Sequence, residues 1–488
     1  MLFPRASLNM AAEIWDVVVV GAGLSGLSAA HLLRKRNVGL KILILEGKDR
    51  VGGRTVSKEI PAAGGTDRWD FGGQWTGSTQ THILELIKEL GLETYPQYNV
   101  GKKVYHAGGP GARIHTYTSR IPALSPLVLM DFLQMLWRIE RLCATVCIED
   151  PSTTPGADEL DSMTFQSYIE KHVWTAALKE QLGISCRTLF GLEASQMSFL
   201  FLLVYVAAAG GLLPLLESSP GSAQELKVKG GTQQLSERLA ERVEWQNIQL
   251  SSGVMTIWQD AEWARVSTKT NTYSCRAVIV TCPPHLAAKI EYQPALPSQR
   301  RFLMQNMPVG HMIKFLITYQ TSAERRKAVL SSLVKYLGPE AASFIHYEEK
   351  DWAEEDYSWG GPVNVMAPGL LTYYHPSLRK PFGRIHWGGT ETATQWCGYM
   401  SGAVQAGQRA ALEVLAELCP TALIQEDLEA LKSGQVISSH AQHTQMSKLG
   451  HLSTGKAMFL ITLALGTALF LVRYHIPSQI NTFFNSQV

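Results

Sequence analysis

Three glycine clusters, each beside a group able to meet a nucleotide, are the most chemically specific features of this 488-residue chain. The first runs Asp16-Val17-Val18-Val19-Val20-Gly21-Ala22-Gly23-Leu24-Ser25-Gly26. Four valines predict a buried parallel strand, and Gly21, Gly23 and Gly26 stand in GxGxxG spacing at its turn into a helix. The first glycine admits the tight turn, the second lets backbone approach a pyrophosphate, and the third lets the helix pack on the strand. The helix start, at Leu24 and Ser25, then aims unpaired N–H groups at phosphate. A second strand, Ile42 to Leu45, ends in Glu46, where a carboxylate can accept hydrogen bonds from ribose hydroxyls. The second cluster, Val51-Gly52-Gly53-Arg54-Thr55, joins backbone freedom at Gly53 to an arginine suited to phosphate. The third is Trp387-Gly388-Gly389-Thr390-Glu391-Thr392-Ala393-Thr394, followed by Gly398, Tyr399 and Met400. There a strand ends at Gly388 and Gly389, Glu391 can bond sugar hydroxyls, and a helix from Met400 presents its positive end.

These groups need a scaffold that the chain leaves and re-enters. Ile14 to Leu45 reads strand, helix, strand, and an amphipathic helix is expected from about Thr79 to Leu92. Residues 95–219 turn strongly helical, with apolar stretches such as Phe199 to Ala209. Short strands return at Val254 to Ile257, Ala277 to Thr281, Phe315 to Tyr319 and Arg384 to Trp387. A charged helix is expected over Ser322 to Leu337, and a long one over Met400 to Leu418. The length calls for more than one domain. The expected division is a discontinuous nucleotide-binding domain (13–94, 220–310 and 384–420), a second domain (95–219 and 311–383) and a linker (421–454). With 44 basic and 42 acidic residues the net charge is +2, which leaves no basic field for nucleic acid. Seven scattered cysteines indicate a reducing compartment and no disulfide framework, and the spacing of Cys143 and Cys147 suits one helix face better than a metal site.

The stretch Leu45-Glu46-Gly47-Lys48-Asp49-Arg50-Val51-Gly52-Gly53-Arg54-Thr55 resembles the fingerprint of the flavin-dependent amine oxidases. Residues 387–411 are similar to the C-terminal flavin signature of monoamine oxidases, and the resemblance spans about Trp15 to Glu413. It implies FAD rather than NAD, and an α/β and α+β architecture. In that architecture a Rossmann-like, glutathione-reductase-type FAD domain joins a substrate domain of mixed sheet and helices. Asp70-Phe71-Gly72-Gly73 resembles a further turn of the family, with Gln74 and Trp75 after it. By the same resemblance Val254 offers its backbone amide to adenine, Trp352 packs on the cofactor, Lys314 holds a water against flavin N5, Tyr399 orients the amine and Gln224 lines the cavity. The implied reaction is FAD-dependent deamination of primary arylalkyl amines to aldehyde, ammonia and H2O2 with O2 as acceptor. A flavoprotein with lost or altered turnover, and a polyamine or L-amino-acid oxidase, are the alternatives. No metal is expected.

The sequence departs from that family in two places. Gly361 and Pro362 stand where monoamine oxidases carry a flavin-linked cysteine and a tyrosine, so FAD is expected to be held non-covalently and the tyrosine pair that frames the amine is halved. Between Tyr319 and Ser322 several dozen residues of the usual substrate-domain sheet are missing. Natural divergence, a splice form and an error in the gene model would all give this sequence. Such a loss exposes apolar surface at about 25 cal/mol per Å² unless something covers it.

Ala457 to Val472 is apolar throughout and flanked by Lys456 and Arg473. Its roughly 24 Å of helix is slightly short of a hydrocarbon core, a gap that snorkelling cations and Tyr474 can close. A buried helix of that length is the alternative reading. The expectation is a transmembrane tail anchor over 455–474, facing the cytosol, in the mitochondrial outer membrane. The partners implied are a small-molecule amine, O2, membrane lipid and a second copy of the chain in a homodimer.

Overall fold

In a computed structural model of the protein, residues 14–433 are described apart from 63–64, 107–110, 119–123, 319–330, 332, 337 and 344. The tail-anchor segment 455–474 lies outside the described residues, as does most of the charged helix expected over 322–337. Among the described residues no helix is long and apolar enough to cross a membrane.

The valine run forms the strand Ile14–Val20 at the heart of an eight-stranded sheet. Val17, Val18 and Val19 are fully buried and Val20 nearly so, each contributing about 1.5–3 kcal/mol through burial. β-Branched side chains on both faces suit a central parallel strand covered by helices. Ile42–Leu45 pairs with it in parallel on one side, Val20 opposite Leu45. Thr272–Val280 does so on the other, Val20 opposite Val280. Ile385–Trp387 joins Thr272–Val280 in parallel, with Trp387 opposite Val280. Four chain segments therefore end together at one edge, and Gly21, Glu46, Thr281 and Gly388 emerge there side by side. Ala264–Ser267 and Thr256–Gln259 continue the sheet antiparallel, so it is mixed.

The helices Leu24–Arg36 and Met400–Leu418 pack on each other beneath this edge. Gly407 permits the contact, because a Cβ there would run into the backbone carbonyl of Ser25. Expected and observed elements agree to within a few residues: the amphipathic helix is Thr81–Glu89, and Met400–Leu418 spans the range expected. Thr272–Val280 begins five residues before the expected strand, since its polar start pairs with Ala264–Ser267.

A separate hydrophobic core gathers the helices Pro126–Cys143, Ala176–Phe190 and Phe199–Ala208. Ser125 and Ser198 start the first and last by accepting from Val128 N and Phe201 N. Phe199–Ala208 is buried almost all round, and the Phe199 ring stacks on Tyr168 at 3.7 Å between centroids. Cys143 ends its helix and Cys147 lies beyond it, so the two do not share a helix face as the spacing suggested. All seven cysteines are free.

Ile313–Thr318 and His346–Asp351 pair only with each other, as a two-stranded antiparallel sheet. Ile313 and Phe315 remain 46% and 43% exposed, the apolar exposure expected where the sequence is short.

Candidate active site

The sheet edge opens into a cavity of about 890 Å³ that runs from the Gly21 turn to the helical core. At its centre Gly23 and Gly53 face each other so closely that a Cβ on Gly53 would lie 3.4 Å from Gly23 Cα. Helix Leu24–Arg36 begins at Gly23 with no side-chain cap, which leaves its first N–H groups directed at the cavity beside Leu24 and Ser25. Ser25 Oγ itself donates to the carbonyl of Gly388. Helix Met400–Leu418 likewise starts at Tyr399 without a side-chain cap, and Gly398, Tyr399 and Met400 line the wall.

At one end Glu46 accepts from Ala22 N at 2.6 Å and Lys48 N at 2.9 Å. Burial raises its pKa above the usual carboxylate value, against the pull of those two N–H groups. Val254 and Gly253 continue this end. At the other end stand Tyr399, Gln224, Lys314, Gln74, Trp75, Thr390 and Gly73, all lining the cavity. Gln224 Nε2 donates to Leu215 O at 3.3 Å. Trp352 is buried, donates from Nε1 to Phe71 O at 2.9 Å, and closes the wall between the ends.

Lys314 donates to the carbonyl of Gly72 at 3.0 Å and lies 5.8 Å from the centre of the Trp75 ring. No carboxylate ion pair is found for it among the described residues. Burial lowers its pKa to about 8, only partly offset by Asp70.

Four of the residues singled out in the sequence have close partners within the protein. Arg54 lines the cavity, and its Nη1 donates to Glu391 Oε1 at 2.6 Å and to Pro362 O at 2.8 Å. Glu391 lies outside the lining and pairs with that guanidinium, which supplies the partner a buried carboxylate needs. Gly26 lies behind the lining, where its missing side chain lets the helix pack on the strand beside Gly21 and Val19, and Gly389 packs against Thr281.

Several lining residues were not read from the sequence. Tyr205 sits on the buried helix Phe199–Ala208, with its ring centre 6.1 Å from that of Tyr399. Their hydroxyls interact, and burial pushes Tyr399 up to about 12 and Tyr205 well above its ordinary value, so both stay neutral phenols. The one polar atom within an apolar run was the available signal for Tyr205. Lys48, Thr281, Tyr357 and Trp359 also line the cavity. Cys282 does so beside the Gly21 turn, and burial holds its thiol at about 12, protonated and inert.

The cavity fits an extended dinucleotide. It has side-chain-free backbone at its waist, two uncapped helix starts and a buried acceptor for a ribose, while its far end offers aromatic walls for a flat ring. Glu391→Gln would leave the partly buried Arg54 without its counter-charge and cost about 1.5–3 kcal/mol in neutral solution. Because the pair holds the Glu391 carboxyl below its usual range, that stabilisation is present above the ordinary value of 4.5 and disappears as pH falls through the depressed one. Urea unfolding across pH measures both, and an unchanged midpoint at pH 7 would contradict the pairing. Lys314→Met should stabilise the fold by on the order of 1–2 kcal/mol below pH 8, where the native state carries a buried charge. The gain should fade as pH rises from 8 to 10.5, the ordinary lysine value, and a Tm series in this window tests it.

The family described as flavin containing amine oxidoreductase matches residues 24–326 and 320–415. The two stretches meet where the sequence is short. The "Probable flavin-containing monoamine oxidase A" of Dictyostelium discoideum is 33% identical over 455 residues, covering 82% of this chain and 97% of that protein. The "Amine oxidase [flavin-containing] A" of Bos taurus is 35% identical over 464 residues, covering 83% and 86%. Among solved structures, the cyclohexylamine oxidase from Brevibacterium oxydans superposes with a TM-score of 0.77 at 28% identity, covering 83% of this chain and 100% of that one. Putrescine oxidase bound to putrescine gives 0.75 at 28% identity, covering 83% and 99%. The chain belongs to the flavin-containing amine oxidoreductases and is an oxidoreductase whose cofactor is FAD.

Proposed function

We propose that the protein deaminates primary arylalkyl amines oxidatively, with FAD held non-covalently and O2 as the final acceptor. The observation that carries the substrate class is the charge at the Tyr399 end of the cavity. Its walls there include Tyr205, Tyr399, Leu189, Met312 and Trp75, and Lys314 is a cation. The carboxylates lining the cavity, Glu46 and Asp356, belong to the opposite end. A polycationic amine would find no counter-charge beside the aromatic walls, whereas a neutral amine on an apolar body fits them. When bound, FAD supplies the two-electron acceptor that takes hydride from the amine-bearing carbon and passes the electrons to O2 as H2O2. Tyr399 and Tyr205, neutral and close together, orient the amine, and Gln224 offers an amide beside them. Lys314 holds a water at the same end through its remaining N–H groups. Water hydrolyses the imine product to aldehyde and ammonia.

Segments 13–94, 220–310 and 384–420 are proposed to hold the cofactor, and 95–219 with 311–383 to receive the amine. Non-covalent FAD follows from Gly361 and Pro362 on the cavity wall, which offer no thiol. Cys397 lies behind the lining with its thiol raised to about 12 by burial. The exposed, two-stranded sheet that carries Lys314 favours a second reading, in which FAD is bound and turnover has been lost.

One experiment separates the two. Acid precipitation of the purified yellow protein should release its colour to the supernatant, and anaerobic addition of an arylalkyl amine should bleach the flavin spectrum. Colour kept in the pellet would contradict non-covalent binding, and no bleaching with any amine or amino acid would leave only the second reading. The apolar run 457–472 is proposed as a membrane anchor in the mitochondrial outer membrane. Full-length protein should resist carbonate extraction from membranes, and a chain lacking 455–474 should be released. Equal behaviour of the two would overturn the anchor.

A further inference from the structure

A turn at the Glu46 end of the cavity has no role in the reading above, and its construction is unusual. Between Trp352 and Gly360 the backbone folds back on itself: Ser358 N and Trp359 N both donate to Glu355 O at 3.0 Å, and Gly360 N donates to Trp352 O at 2.8 Å. Two bulky residues within it, Tyr357 and Trp359, have left-handed backbone, with φ of +54° and +44°. Such a conformation is unfavourable for an L side chain and persists only where surroundings enforce it.

The enforcement is electrostatic. One carboxylate, Glu355, accepts from Lys48 at 2.7 Å, from Arg50 at 2.7 Å and from Lys350, which holds it at about 2 despite partial burial. Lys48 also donates to Ser358 Oγ at 2.9 Å, and the His285 ring bonds Ser358 O at 2.9 Å. Lys48 and Arg50 belong to the loop that follows Glu46, so the turn is tied to the nucleotide-binding edge itself.

What this bracing displays is two aromatic side chains left nearly half exposed. Tyr357 is 46% and Trp359 39% exposed, and both line the cavity. The Tyr357 ring lies in a slot with glycine walls. A Cβ on Gly47 would come within 2.5 Å of its Cδ1, and one on Gly253 within 2.5 Å of its Oη. Gly47 follows the ribose acceptor Glu46, and Gly253 precedes Val254. Lys289 Nζ lies 2.8 Å from the centre of the Trp359 ring. A strained turn, pinned by three cations and presenting half-exposed rings into a cavity, is explained by a flat partner that covers them.

We propose that Tyr357 packs against the adenine of FAD, so that the Glu355–Gly360 turn clamps the adenosine half of the cofactor. Glu355 acts as a positioning residue that fixes the ring. The inference rests on the flavin reading. It assigns to the adenosine half the holding power that a covalent bond to the flavin ring would otherwise supply. Stacking of a base on an aromatic side chain gives about tenfold or more in affinity.

The test uses full-length protein stripped of flavin and titrated separately with FAD and with FMN, read by quenching of flavin fluorescence. Tyr357→Ala should weaken FAD about tenfold or more and leave FMN unchanged, and Tyr357→Phe should restore FAD affinity. Glu355→Gln should shift FAD in the same direction as Tyr357→Ala, again without changing FMN. FAD affinity unchanged or tightened in Tyr357→Ala would overturn the clamp, as would equal losses for FAD and FMN, which would mark a merely structural role. Wild-type protein that takes up neither flavin would sink the flavin reading and the clamp with it.

Discussion

The whole arrangement depends on how closely backbone can pack around one side chain, Thr281. Its hydroxyl donates to Val20 O at 2.9 Å and lies 3.3 Å from Gly21 O, so it ties the end of one parallel strand to the start of the next turn. A Cβ on Gly21 would come within 2.8 Å of that hydroxyl, and one on Gly26 within 2.9 Å. One on Gly388 would meet its methyl at 3.3 Å, and one on Gly389 its carbonyl at 3.2 Å. Glycines separated by more than 360 residues of chain thus serve a single contact. Interiors are close-packed, so a methyl group added at any of these points would move a strand end and the helix start beside it.

Around that contact the charges fall into two classes. Arg54 with Glu391, and Glu355 with its three cations, are paired groups that fix loops across long stretches of sequence. Each places a rigid strut behind the cavity, where low polarity makes an unpaired charge costly. Lys314 differs. It is largely buried and held only by a carbonyl and a ring, and its lowered pKa records the cost of that position. Asp70 offsets that cost only in part.

Much of this was legible in the sequence, because the glycine motifs are local constraints. GxGxxG states which backbone positions must lack a Cβ, and the valine run before it states which strand is buried on both faces. The convergence of the clusters followed from parallel strands ending at one edge. What could not be read was partner choice. Nothing local to Glu391 reveals an arginine 337 residues earlier at 2.6 Å. Tyr205 was hidden for a different reason: on a helix buried all round, an aromatic residue is indistinguishable from core until the neighbouring helix is placed. The Tyr357 turn was invisible as well, since left-handed backbone at a tyrosine follows from tertiary bracing and not from the residue type.

The two halves of the cavity are therefore braced to different degrees. The edge that holds the nucleotide belongs to an eight-stranded sheet with helices packed beneath it, and its turns are locked by backbone contacts. Lys314 sits on a strand with one partner, Ile313 and Phe315 beside it are nearly half-exposed, and the strand reaches the nucleotide half through Gly72. Local opening costs least where buried apolar contacts are few. Among the described residues, the Lys314 strand is therefore the less firmly braced wall of the cavity. Among the described residues, the Lys314 side chain is tied to the nucleotide half by its hydrogen bond to Gly72 and its approach to the Trp75 ring.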